Sequence, residues 1–133
     1  MATRSFIAIK DGTIYRDVYC HNDGYLSNNG FLLKNFYNTV ERVNSLIELG
    51  DLSYLGQRLS DKDNVENTTD DSICFFYGRD RGEDGTFARV FTDESKLRIE
   101  EYTYLFKDGV WYWRTEKDKT FRVLSDSDIE NDL

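Results

Sequence analysis

The chain has no proline, one methionine, one histidine and two cysteines in 133 residues. Its apolar runs fall well short of the ~18 residues that a membrane span requires, and it carries no signal-peptide pattern. So small a supply of thiol and imidazole leaves little for metal chemistry. A four-ligand zinc site would have to combine Cys20, His21, Cys74 and a carboxylate, and neighbours such as Cys20 and His21 point to opposite faces of an extended strand. No metal and no cofactor are expected. Cys20 and Cys74 read as buried thiols of a reducing cytosol, with a disulfide between them as the alternative. Bases are scarce too: 17 Lys and Arg stand against 25 Asp and Glu, a net charge of −8. Binding a duplex phosphate backbone needs a basic surface, so direct duplex nucleic-acid binding is not expected. An acidic surface suits solubility or a basic partner, such as a protein surface that normally holds nucleic acid.

Aromatics, by contrast, are plentiful, with nine Phe, nine Tyr and two Trp. Such side chains fit a pleated, half-buried surface and favour sheet. They also argue for a folded chain, since disordered segments are poor in them. The length suits one domain, which we place at residues 1–124, followed by an acidic tail at 125–133 that is expected to fray.

Three Asp-Gly pairs punctuate the sequence, at 11–12, 84–85 and 108–109. Asp-Gly supplies the positive backbone angles of a type I′ hairpin turn. The first pair joins Ser5–Lys10 to Thr13–Cys20, and the last joins Glu101–Lys107 to Val110–Arg114, with Thr120–Leu124 as a third strand. Ile73–Tyr77 and Phe87–Phe91 are expected to pair across the middle one. Between these blocks Val40, Val43, Leu46 and Ile47 recur at helical spacing behind a cap at Asn38, and Gly50 closes the helix. Asn29–Tyr37 is a shorter helix, and Leu52–Leu59 adds a last turn. Asp61–Asp71 reads as a solvated loop. The fold class is therefore α+β: an N-terminal β-hairpin, two or three helices, then a mainly antiparallel sheet of four to five strands, with helices packed on one face.

Two polar clusters set among aromatics are the candidate site. Tyr19-Cys20-His21-Asn22-Asp23-Gly24-Tyr25 contains the only histidine. Cys–His nucleophilic chemistry needs the ring to reach the sulfur, which neighbours on a strand do not easily achieve, so a hydrolase using Cys20, His21 or Asp23 is the least favoured reading and no catalytic residue is assigned. Phe76-Tyr77-Gly78-Arg79-Asp80-Arg81-Gly82-Glu83 offers planar guanidinium forks beside aromatic faces. That combination suits a nucleotide: Arg79 and Arg81 on phosphate, Tyr25, Phe76 or Tyr77 on a base, His21 and Asp23 alongside. No known phosphate-loop spacing is present. The competing account pairs both arginines with Asp80, Glu83 or Asp23. Trp111 and Trp113 share one strand face and read first as core.

The opening Thr3-Arg4-Ser5, the Tyr19–Tyr25 stretch, Gly50-Asp51-Leu52-Ser53, the Phe76–Glu83 stretch and the closing Glu101-Tyr102-Thr103-Tyr104-Leu105-Phe106-Lys107-Asp108-Gly109-Val110-Trp111-Tyr112 run in an order that resembles a family of small uncharacterised proteins encoded by tailed bacteriophages. The resemblance covers most of the chain. That family commonly has Trp where Asn22 stands here, which removes or alters any stacking role at this position. The resemblance brings no reaction and no catalytic residues. It implies a setting, the cytoplasm of a host cell, in which small accessory proteins bind and disable host enzymes or immune systems. The leading expectation is a non-enzymatic inhibitor whose Asp61, Asp63, Glu66, Asp70 and Asp71 meet a basic patch on a host protein. The alternative is a sponge for a nucleotide or cyclic-oligonucleotide messenger, built on Arg79 and Arg81.

Overall fold

A computed structural model describes residues 2–133 and shows an α+β fold. Strands β1 (Ser5–Asp11) and β2 (Ile14–Cys20) form the opening hairpin, in register from Ser5↔Cys20 to Asp11↔Ile14. A π-helical turn at Leu26–Gly30 runs into α1 (Phe31–Phe36), and α2 (Val40–Glu48) follows. Then come β3 (Leu52–Tyr54), β4 (Phe75–Phe76), α3 (Tyr77–Arg81), β5 (Arg89–Phe91), β6 (Tyr102–Lys107), β7 (Val110–Thr115), β8 (Arg122–Val123) and α4 (Asp126–Asn131).

All eight strands form one mixed sheet ordered β4-β3-β2-β1-β6-β7-β8, with β5 on the free part of β2. It is larger than the four to five strands expected because the opening hairpin is its centre and not a separate unit. β1 pairs in parallel with β6 from Ser5↔Tyr102 to Ile9↔Phe106, and β2 pairs in parallel with β3 at Cys20↔Leu52. The segments expected to pair with each other across Asp84-Gly85 instead go to different partners: β4 to β3, β5 to β2.

Each turn follows from its backbone angles. Asp108 and Gly109 both take positive φ, 53° and 77°, in a two-residue turn between Lys107 and Val110, as a type I′ hairpin requires. At the first hairpin Gly12 and Thr13 are the turn residues, and only Gly12 has positive φ. The cap of α2 is Thr39, whose side chain accepts from the Arg42 N–H at 3.2 Å, one residue beyond the expected Asn38. The expected helical turn after Leu52 is strand β3.

Helices α1, α2 and α4 pack on one face of the sheet. Ile7, Ile9, Val18, Tyr104, Phe106 and Trp111 project from the strands into a core shared with Leu33, Phe36, Val43, Leu46 and Ile47. Alternation along the strands sends Ala8, Tyr15 and Leu105 to the other face, where Leu97, Phe91, Tyr112 and Phe121 cover them. The covering segment is pinned by charge. Asp17 on β2 is wholly buried and is gripped by Arg89 at 3.1 and 3.2 Å and by Arg98 at 2.8 and 3.3 Å. The acidic tail, expected to fray, carries a helix. Residues 126–131 form α4, started by a capping box between Ser125 and Asp128, and Ile129 is buried in the main core.

Candidate functional site

The two polar clusters stand two strands apart, with β3 between them, and Asp51 joins them. Its Oδ1 accepts from the Tyr19 N–H at 2.9 Å, while its carbonyl accepts from the Tyr77 N–H at 3.1 Å. Gly50 makes this junction possible: it has φ +87°, and a Cβ there would sit 2.3 Å from the Thr86 carbonyl oxygen. Burial raises the Asp51 carboxyl above its ordinary value, with the Tyr19 N–H and Arg98 opposing. The Asn22 amide donates to the Ser53 carbonyl at 2.9 Å, fastening the segment that follows β2 to β3. Gly24 donates to the Thr3 carbonyl at 2.8 Å and packs so closely that a Cβ would lie 2.8 Å from that of Ser5. Its own carbonyl accepts from the buried Tyr104 hydroxyl at 2.6 Å. Segments far apart in the chain thus close one corner of the sheet.

Within that corner the Cys–His pair does not assemble. Cys20 is wholly buried on the helix face, in contact with Asn29 and the Asn22 carbonyl at 3.5 Å each. Burial pushes its thiol up to about 12, so the thiolate needed for attack is suppressed. The His21 ring takes the other side, its Nδ1 2.7 Å from the Tyr19 hydroxyl. Burial raises the Tyr19 hydroxyl, Arg4 opposes, and Glu100 and Tyr77 add to the rise. Cys74 is buried and free as well, hydrogen-bonded to the Gly56 N–H at 3.2 Å and to the Tyr37 hydroxyl at 3.4 Å, so no disulfide links it to Cys20. Among the described residues no three His, Cys, Asp or Glu side chains gather in a metal-holding group.

The phosphate clamp does not assemble either. Tyr77–Arg81 of the second cluster form α3, and the two arginines have different partners. Arg79 lies over the Phe76 ring at 4.9 Å and donates to the Leu59 carbonyl at 2.6 Å, the Cys74 carbonyl at 3.1 Å and the Asp80 carboxylate. Arg81 stacks over Tyr77 at 4.8 Å and pairs with Glu83. Phe76, expected to stack on a base, is wholly buried, leaving no face for a ligand. Tyr25 is exposed beside Asp23, which has φ 57° and whose carbonyl accepts from Asn29. The arginine–carboxylate pairing weighed as the competing account is the arrangement found.

The acidic loop is better built than a solvated loop need be. Gln57, buried at its base, donates to the Thr69 hydroxyl at 2.7 Å and accepts from the Thr69 N–H at 2.9 Å. Arg58 donates to the Asp63 carbonyl at 2.7 Å. Asp63, expected to face a partner, turns inward: both its oxygens accept from Arg42 at 2.8 Å, and one accepts from the Leu59 N–H at 2.8 Å. Burial alone would raise the Asp63 carboxyl, but these donors outweigh it and hold the group below its ordinary value. Arg42 is itself anchored over the Tyr37 ring and to the Phe36 carbonyl. Asp61, Glu66, Asp70 and Asp71 remain exposed. The Ser72 hydroxyl and then its N–H, which donates to Asp70 at 2.8 Å, hold the Asp70 carboxyl below its ordinary value, and Asp71 stands 3.6 Å from Arg58 while open to water.

Three features escaped the sequence reading: the junction role of Asp51, the Gln57 and Arg42 anchors, and the Asp17 triad. Asp51 stands out in the sequence only within the Gly50-Asp51-Leu52-Ser53 stretch of the resemblance. A buried glutamine or a paired aspartate has no local pattern to find it by. No protein-family description, curated protein or solved structure matches the chain. Among the described residues no helix is long and apolar enough to cross a membrane.

Proposed function

We propose that this is a bacteriophage accessory protein that disables a host enzyme or defence component in the host cytoplasm by stoichiometric binding. Asp61, Glu66, Asp70 and Asp71 meet a basic surface on the target. The supporting observation is the fastening of the 60–72 loop through Gln57, Arg42 and Arg58, which leaves four carboxylates at its surface on a fixed base. A carboxylate array arranged before contact loses less conformational entropy on binding than a floppy one. The net charge of −8 adds long-range attraction for a basic partner. The phage setting comes from the sequence resemblance. A messenger sponge has less support, because Arg79 is tethered and Phe76 is buried. A Cys20 nucleophile has less still, given the raised thiol.

The test is capture of host protein by the tagged full chain at low and high salt, followed by sizing of the complex. The companion variant carries Asp61→Asn, Glu66→Gln, Asp70→Asn and Asp71→Asn. A one-to-one complex that weakens steeply as salt shortens the Debye length to about 3 Å, and that the variant fails to form while keeping its thermal midpoint, supports the reading. A complex indifferent to both, or turnover of a substrate abolished by changing one side chain, overturns it.

A further inference from the structure

Helix α4 is strapped to the π-turn and α1 at its two ends. Lys34 Nζ meets Asp126 at 3.0 Å, and the Ser27 N–H donates to Asp132 at 2.8 Å. Between these straps the helices stand apart, leaving an open groove of about 420 Å³ lined by Ser27, Phe31, Asn35, Ile129, Glu130 and Leu133. Its surface is largely apolar, and Phe31 and Leu133 remain exposed at 36% and 91%. One wall is π-helical, a conformation concentrated at functional positions in proteins.

Two observations define what fits there. Asn35 also lines a second depression, formed with Phe36, Arg42, Val65, Glu66 and Asn67 of the acidic loop, so this one side chain borders both hollows. Each hollow carries an exposed carboxylate: Glu130 lines the apolar groove, and Glu66 lines the neighbouring depression. A second copy of this chain would set those acids against their own kind, and an anionic bilayer would be repelled.

We infer that this groove is the docking site for an amphipathic segment of the basic partner, one that seats apolar side chains against Phe31, Ile129 and Leu133 and sets Lys or Arg beside Glu130 and Glu66. The inference rests on the reading above for the partner's charge and adds the anchor. Attraction to the loop falls away with salt, whereas apolar seating in the groove persists.

The experiment maps amide shifts of the isotope-labelled full chain with two synthetic peptides of equal positive charge. One is an amphipathic Leu/Lys peptide, and in the other every Leu is replaced by Ser. The expected result is that the Leu/Lys peptide shifts Ser27, Phe31, Asn35 and Ile129 and binds about tenfold more tightly than the Ser/Lys peptide, which shifts only residues 60–72. Glu130→Lys and Leu133→Asp, both at exposed positions, should each remove most of that advantage with no change in thermal midpoint. If the Leu/Lys peptide shifts only the loop, the groove assignment fails and the acidic-surface reading stands. If neither peptide shifts any residue, both fail. Concentration-dependent dimerisation abolished by Leu133→Asp would give the groove to a second copy and overturn the inference.

Discussion

Replacing Asp17 with asparagine tests the charge lock between β2 and the segment that covers the second sheet face. The side chain is wholly buried and makes four contacts of 2.8–3.3 Å with Arg89 and Arg98. Asn conserves the shape but removes the charge, leaving two guanidinium groups without an anion. Breaking a buried ion pair from one side costs about 3–5 kcal/mol. Here the arginines are 40% and 32% exposed and recover part of their hydration, so the cost is discounted to about 2–3 kcal/mol. At an unfolding entropy of about 2.1 cal/mol/K per residue, the 133-residue chain should lose roughly 7–11 °C in Tm. The assay is paired urea and thermal unfolding of the wild type and Asp17→Asn. Adding Arg89→Gln should cost less than the sum of the two single changes, because one of the stranded cations is then gone. A loss below about 1 kcal/mol, or strict additivity, would refute the argument that the triad holds β5 and the 93–98 segment in place.

Other consequences are equally accessible. Asp63 is held below its ordinary value, so its contribution is present above the normal carboxylate range and is lost as pH falls through the lowered folded-state value. Protection against hydrogen exchange in residues 60–72 should therefore fall on acidification from about pH 4 downward, and Asp63→Asn should reduce that dependence to the part that Asp70 contributes. Cys20 and Cys74 should resist alkylation in the native protein and react once it is unfolded, since both thiols are buried and raised; rapid native labelling would contradict the packing. Gly50→Ala should destabilise by more than about 2 kcal/mol, because the methyl would fall 2.3 Å from the Thr86 oxygen at φ +87°. Gly109→Ala, with positive φ but open space around it, should cost less in the same urea titration.

The hairpins and α2 were legible because their signals are local: turn pairs, strand alternation and a helical apolar stripe. The middle of the chain was not. Ile73–Tyr77 and Phe87–Phe91 look like mutual partners until β3 claims one and the Asp17 charge draws the other to β2, and neither competitor is near in sequence. The tail carried a readable sign, Ser125 followed at the third residue by Asp128 and then by Ile129, but its acidity outweighed that sign. In the candidate site, the two polar clusters were legible as stretches of sequence, but not whether they meet. Which groups remain free was not legible either: Arg79, Phe76 and Asp63 are withdrawn by partners that only the folded chain supplies.

The parallel pairing of β1 with β6 has a bearing on biosynthesis. Residue 5 finds its neighbour at residue 102, so the middle of the sheet stays open along one side until Tyr102 has left the ribosome. Closing so long a loop is entropically unfavourable and slow. A nascent chain halted before Tyr102 would hold a hairpin with a naked flank, a target for chaperones and proteases. Prematurely terminated products of this protein should accordingly be cleared rather than accumulate.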